Sequence, residues 1–121
     1  MRFLCLYKSA KKEGTPPTPE NMQQMGKLIE EGFQSGRLIA TEGCMPSENG
    51  ARIRLADGKI TVTDGPFTES KELVGGFALI HASSKEDAIA FAKEFINIAG
   101  DGESEIRQVY EQSDFSACEQ Q

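Results

Sequence analysis

The chain has little of what most metal and redox sites require. It holds one histidine and three cysteines. Cys5, Cys44 and Cys118 form no C-x-x-C pair, and a single His supplies no H-x-x-x-H site, so the usual zinc frameworks are missing. No metal and no cofactor is expected. Unpaired cysteines in odd number fit a reducing cytoplasm. Positive charge is also short: 13 Lys and Arg stand against 19 Asp and Glu, a net charge of −6. That argues against nucleic acid and against an anionic membrane surface as partners. The opening apolar run, residues 3–7, is far too short for a signal peptide or a membrane span, and the expected location is the cytoplasm. No G-x-S-x-G elbow is present. Gly75-Gly76 lacks the longer glycine pattern and the lysine of a phosphate loop, and a strand follows it where a helix N-terminus is needed. The acids between 64 and 72 do not match calcium-loop spacing.

What remains is a chain of 121 residues, one domain able to bury roughly two thirds of its unfolded surface. Residues 2–8 read as a strand, with Cys5 as a small core residue. Segment 9–18 is rich in Lys, Pro and Thr and reads as a loop. Thr18, Pro19 and Glu20 then spell an N-cap, a first-turn proline and a first-turn acid. Met22, Met25, Leu28, Ile29 and Phe33 follow at helical spacing, and Gly36 is the natural C-cap. Gly32 and Gly36 also match G-x-x-x-G, but the cap is the preferred reading.

Residues 37–41 read as a second strand and 42–50 as a loop. Residues 51–55 and 59–63 alternate around Asp57-Gly58, the signature of a tight hairpin. Ile53, Leu55, Ile60 and Val62 share one face; Arg52, Arg54, Lys59 and Thr61 share the other. The 74–82 segment is apolar on both faces and should be covered on both. Ser84 caps a second helix with Asp87 in a short capping box. Ala88, Phe91, Ala92, Phe95 and Ile96 form its stripe, and Gly100 and Gly102 end it. Residues 104–111 read as the last strand, closing a domain of 1–111, and 112–121 as a polar, frayed tail.

With the hairpin removed, the order is β-α-β-β-α-β, the ferredoxin-like α+β arrangement. Two helices cover one face of such a sheet. The other face then needs a partner, and the simplest is a second copy, giving a homodimer.

The run from Asp64 to Glu72 holds the candidate chemistry. Asp64 follows an alternating strand and precedes Gly-Pro. Its carboxylate is a candidate general base or ligand contact; the structural alternative is that it accepts a backbone N–H two residues on and locks the turn. Glu69, Lys71 and Glu72 are candidates for a polar pocket, or else form a solvated turn with weak ion pairs. Phe67 reads as an anchor for the loop, with stacking on a ligand as the second reading. His81, the lone histidine, is a candidate acid/base, or a hydrogen-bonded residue late in a buried strand. Cys44 follows Gly43 in a loop, where a reactive thiol is the minority reading.

The run Asp64-Gly65-Pro66-Phe67, continued by Glu69-Ser70-Lys71-Glu72 and Gly75-Gly76-Phe77, resembles the DGPF family of YciI-like proteins. The opening strand, Pro16-Pro17-Thr18-Pro19-Glu20, Glu42-Gly43 and the hairpin extend the resemblance to about Tyr110. It implies a dimeric α+β barrel of ferredoxin-like halves, with a cleft between helix, sheet and partner. Most such proteins have no assigned activity; one branch includes a dehydrochlorinase acting on a chlorinated hydroxyquinol. The family's proposed acid/base pair uses a His on the first helix. Residues 20–33 contain none, offering Met22 and Met25 instead, so the pair does not carry over. The resemblance also implies a link to alternative sigma factors. Three classes of function follow: a small-molecule-binding protein, a cofactor-free lyase using Asp64, and a regulatory interaction partner.

Overall fold

A computed structural model describes residues 1–67 and 73–119 of the chain, residues 116–119 as backbone alone. The elements are β1 (Arg2–Ser9), α1 (Pro19–Ser35), β2 (Leu38–Gly43), a 3-10 turn at Ser47–Asn49, β3 (Ala51–Ala56), β4 (Lys59–Asp64), β5 (Val74–His81), α2 (Lys85–Ala99), β6 (Gly102–Gln108) and α3 (Gln112–Glu119).

Both long helices start where their caps dictate. The Thr18 hydroxyl accepts the Asn21 N–H at 3.1 Å, meeting one of the orphan donors of the first turn of α1. Gly36 ends α1 at φ 79°, a left-handed conformation that glycine adopts without steric cost. On α2 the box is displaced by one residue. Ser84 accepts the Asp87 N–H at 3.1 Å, while the Asp87 carboxylate reaches past Ser84 to accept the Ser83 N–H at 3.0 Å.

Four strands form one antiparallel sheet in the order β2-β5-β1-β6. With helices after β1 and β5, the first and third of these strands in chain order, this is the ferredoxin-like α+β fold. Phe3, Cys5, Leu38, Ala78, Ile80, Ala82, Ala88 and Phe91 form the core between sheet and helices. α1 comes close to the sheet at Gly32: a β-carbon there would stand 2.9 Å from Leu38 Cβ. Gly32 is thus a packing glycine, a role distinct from the capping role of Gly36. The Tyr7 hydroxyl donates to the carbonyls of Gly100 and Asp101 at 2.9 and 3.1 Å, tying β1 to the end of α2.

Strand alternation leaves Leu4 and Leu6 of β1 and Phe77 and Leu79 of β5 on the other face, half-buried at most. Lys8, Glu105 and Arg107 rim it; the Lys8 ammonium, 3.4 Å away, holds the Glu105 carboxyl below its usual range. The hairpin β3–β4 is a separate two-stranded sheet with Ile53 opposite Val62 and Leu55 opposite Ile60. These four side chains are 63–74% exposed, so nothing within the described chain covers that face.

Three expectations change. Gly102 does not terminate α2 but already pairs with Ser9 as the first residue of β6; Gly100 alone ends the helix. The last strand stops at Gln108, and Val109 to Glu111 are held instead by β1: the Val109 N–H donates to the Arg2 carbonyl, and Arg2 Nε reaches Glu111 Oε1 at 3.1 Å. Gln112–Glu119 is helical where a frayed tail is expected. Ring contact between Tyr110 and Phe115, centroids 5.2 Å apart, packs this helix against the chain that precedes it.

Candidate functional site

The loop after β1 does not wander. The Ala10 N–H donates to the Asp101 carbonyl at 3.0 Å, and Thr15 folds back on the Lys12 carbonyl. This sets residues 9–17 along one side of a cavity of about 1070 Å³. α1 supplies the next wall with Met22, Met25, Gly26 and Ile29. The β2–β3 connection adds Cys44, Met45 and Pro46. Phe67, Val74 and Gly75 close a third side, and Ile98 and Ala99 of α2 the last. The Cys44 N–H continues the strand pairing onto the Gly75 carbonyl at 2.9 Å, which fixes the loop beside β5.

One residue ties three of these walls together. Ser47, at the start of the 3-10 turn, donates its N–H and its hydroxyl to the two carboxylate oxygens of Glu13, each at 2.7 Å. Its hydroxyl oxygen also accepts the Phe67 N–H at 3.0 Å. Gly65 lies directly on this turn. A β-carbon at Gly65 would fall 1.7 Å from the Ser47 carbonyl oxygen, so only glycine fits. The Gly65 N–H donates to the Gly50 carbonyl, and the Gly65-Pro66 peptide is cis. The Arg52 guanidinium stacks 3.9 Å over the Phe67 ring from the hairpin side. These contacts belong to Gly65 and Phe67 and not to the Asp64 side chain. They seat the base of the hairpin on the Ser47 turn and present Phe67 to the cavity.

The predicted site residues fall in different places. Phe67 lines the cavity. Glu69, Lys71 and Glu72 lie outside the described residues, in the stretch between Phe67 and Leu73, both of which line it. Asp64 is exposed at the end of β4, opposite Ala51, and does not line the cavity. It does not lock the turn as expected: the residue two on is Pro66, which has no N–H, and Ser47 holds the turn instead. His81 ends β5, opposite Arg2, with its N–H on the Arg37 carbonyl at 2.7 Å. It is exposed, not buried, and stands at the far end of β5 from the cavity residues Val74 and Gly75. Asp64 and His81 belong to different sheets.

Sequence reasoning did not single out Glu13, Ser47, Met45, Lys11 or Lys12 for the site. The available signal was weak: an acid beside two lysines in a Pro/Thr loop, and a methionine before a proline. Their meeting depends on a contact between segments 34 residues apart. Among the described residues no group of three or more His, Cys, Asp or Glu is placed to hold a metal ion, and no described helix is long and apolar enough to cross a membrane.

A ferredoxin-like α+β chain with an inserted hairpin and a cavity walled by its Gly-Pro-Phe turn defines the class. The sequence matches the YCII-related domain over residues 1–113, and the chain belongs to that family. It is also similar to an uncharacterised protein of Rhizobium meliloti (strain 1021), 32% identical over 76 residues, 63% of this chain. The matched stretch spans 61% of that relative's length.

Proposed function

We propose that this protein binds a small organic molecule in the cavity behind Phe67. The observation that supports this most is a mismatch within the lining. The walls are fixed by the Glu13–Ser47–Phe67 hydrogen bonds, yet large apolar side chains face open space: Met22 is 61% exposed and Met45 75%. A concave, mainly apolar surface with a few placed polar groups is the ordinary form of a ligand site. A thermal-shift screen of small aromatic and hydroxylated acids tests it, because a ligand that binds only the folded state raises the melting temperature. The shift is expected in wild type and lost in Gly26→Leu, whose side chain fills the cavity from α1. A shift that survives in Gly26→Leu counts against this site.

The working form we propose is a homodimer. Two apolar surfaces are left open on each chain: the Leu4, Leu6, Phe77, Leu79 face of the sheet and the Ile53, Leu55, Ile60, Val62 face of the hairpin. A second copy offers matching apolar surfaces to both. Light scattering on a sizing column is expected to give a dimer at micromolar concentration, and Ile60→Glu to shift it toward monomer. A wild-type monomer contradicts this.

A lyase acting through Asp64 has less support, because that carboxylate lies outside the cavity lining. No described residue favours a regulatory sigma-factor partner over a ligand.

A further inference from the structure

We infer that the cavity takes an apolar organic anion, a monocarboxylate with an extended alkyl or aryl-alkyl body, and that Lys11 and Lys12 hold its head. This deepens the reading of the cavity as a ligand site and rests on it. The body is indicated by the walls. Met22, Met25 and Met45 line the cavity, so three of the chain's four methionines converge on one space. Ile29, Phe67 and Ile98 complete an apolar surface, and unbranched, polarizable methionine side chains adapt to flexible apolar ligands.

The head is indicated by the charges. Glu13 is the one carboxylate of the described lining, and both its oxygens are turned to Ser47. Lys11 and Lys12 are the cations of that lining, and neither ammonium forms an ion pair among the described residues. A β-carbon at Gly100 would stand 3.0 Å from Lys11 Nζ, which places that ammonium at the end of α2, next to the lining residues Ile98 and Ala99. Its position there also complements the carbonyl end of the helix. Lys12 has no such structural role. On a chain of net charge −6 an anion is repelled by the overall field, and among the described lining residues the two lysines against one carboxylate supply the local positive charge that offsets it.

The test uses decanoate, 4-phenylbutyrate, 1-decanol and decyltrimethylammonium, each below micelle formation, on the full chain. Binding is read by calorimetry and by protection of Cys44 from iodoacetamide in a Cys118→Ser background; Cys44 lines the cavity and is exposed, while Cys5 is buried. Decanoate and phenylbutyrate are expected to protect Cys44 and to bind about tenfold more tightly than decanol, with no binding of the ammonium compound. Lys11→Gln/Lys12→Gln, with its fold checked by circular dichroism, is expected to lower decanoate to the level of decanol and leave decanol unchanged. If only one of the two acids binds, the body class narrows to alkyl or aryl-alkyl and the anion inference stands. If carboxylate, alcohol and ammonium protect Cys44 equally, or the double variant binds decanoate as wild type does, the cavity remains a ligand site and the anion inference is overturned. If no compound protects Cys44, the cavity reading itself fails and the inference with it.

Discussion

Both carboxylate oxygens of Glu13 are held by Ser47, 34 residues further along the chain: one accepts its N–H and the other its hydroxyl, each at 2.7 Å. Ser47 is 9% exposed, so removing its hydroxyl leaves part of a charged acceptor and the Phe67 N–H short of partners. Ser47→Ala is expected to lower stability by about 2 kcal/mol. Glu13→Gln keeps one acceptor oxygen and is expected to lose about half of that. Urea unfolding measures both. Equal stability of wild type and Ser47→Ala would show that the three walls are not joined through this residue.

Gly65→Ala places a methyl group 1.7 Å from the Ser47 carbonyl, a contact that only backbone movement relieves. The expected loss is about 3 kcal/mol, at the upper end for overpacking. Asp64→Ala, one residue away, removes a carboxylate with no hydrogen-bond partner among the described residues, and is expected to change stability by less than about 0.5 kcal/mol. A large loss in Asp64→Ala with little in Gly65→Ala would reverse the roles assigned to these neighbours.

Two glycines of α1 are expected to respond with opposite signs. Gly26 faces the cavity, with nothing within 4 Å of an added β-carbon. Gly26→Leu is expected to stabilise by about 0.5–1 kcal/mol through helix propensity. Gly32→Ala gains a similar propensity term, but its β-carbon meets Leu38 Cβ at 2.9 Å. Overpacking of this kind costs about 1–3 kcal/mol, so the net effect is expected to be a loss. Thermal melts of the two variants decide it, and a stabilising Gly32→Ala would contradict the close helix–sheet contact.

Burial pushes the Cys5 thiol up to about 11 from an ordinary 9.0. The group is neutral in the folded core, whereas the unfolded chain releases its proton first as pH rises. Between pH 9 and 11 the folded state therefore binds more protons, and stability falls with rising pH, by up to about 1.4 kcal/mol per unit from this group. Stability against pH is expected to be flatter in Cys5→Ala than in wild type over that window. Identical slopes would show that Cys5 does not carry this dependence.

Local signals in the sequence were enough for most of the fold. Thr18, Gly36 and Ser84 act through bonds within three residues, and Asp57-Gly58 joins adjacent strands, so their roles can be read without knowing the rest. The doubly apolar 74–82 segment turns Gly76, Ala78 and Ile80 to the helices, whereas Phe77 and Leu79, expected to be covered as well, are half-buried within one chain. Of the candidate site residues that are described, Phe67 lines the cavity and Asp64 and His81 do not. Glu13, Ser47 and Gly65 carry no periodicity, and their meaning arises from a long-range approach of backbone to backbone. Asp64 stood out because acids before Gly-Pro attract chemical readings, but the missing N–H of Pro66 leaves it no turn to lock. Gly102 looked like a second helix stop, yet its small size serves the β1–β6 pairing: a β-carbon there would meet the Lys8 carbonyl at 2.4 Å.

The most direct test of the cavity as a ligand site is a spectrum of the chain labelled with ¹³C on its methionine methyl groups, which shows four signals. Met22, Met25 and Met45 line the cavity, while Met1 sits at the other end of the sheet, its carbonyl accepting the Ala82 N–H. Titration with a bound acid from the screen is expected to shift the three cavity signals together and leave Met1 in place. Shifts confined to Met1, or no shift in any of the four while binding heat is observed, would place the ligand elsewhere and contradict the cavity behind Phe67 as the site.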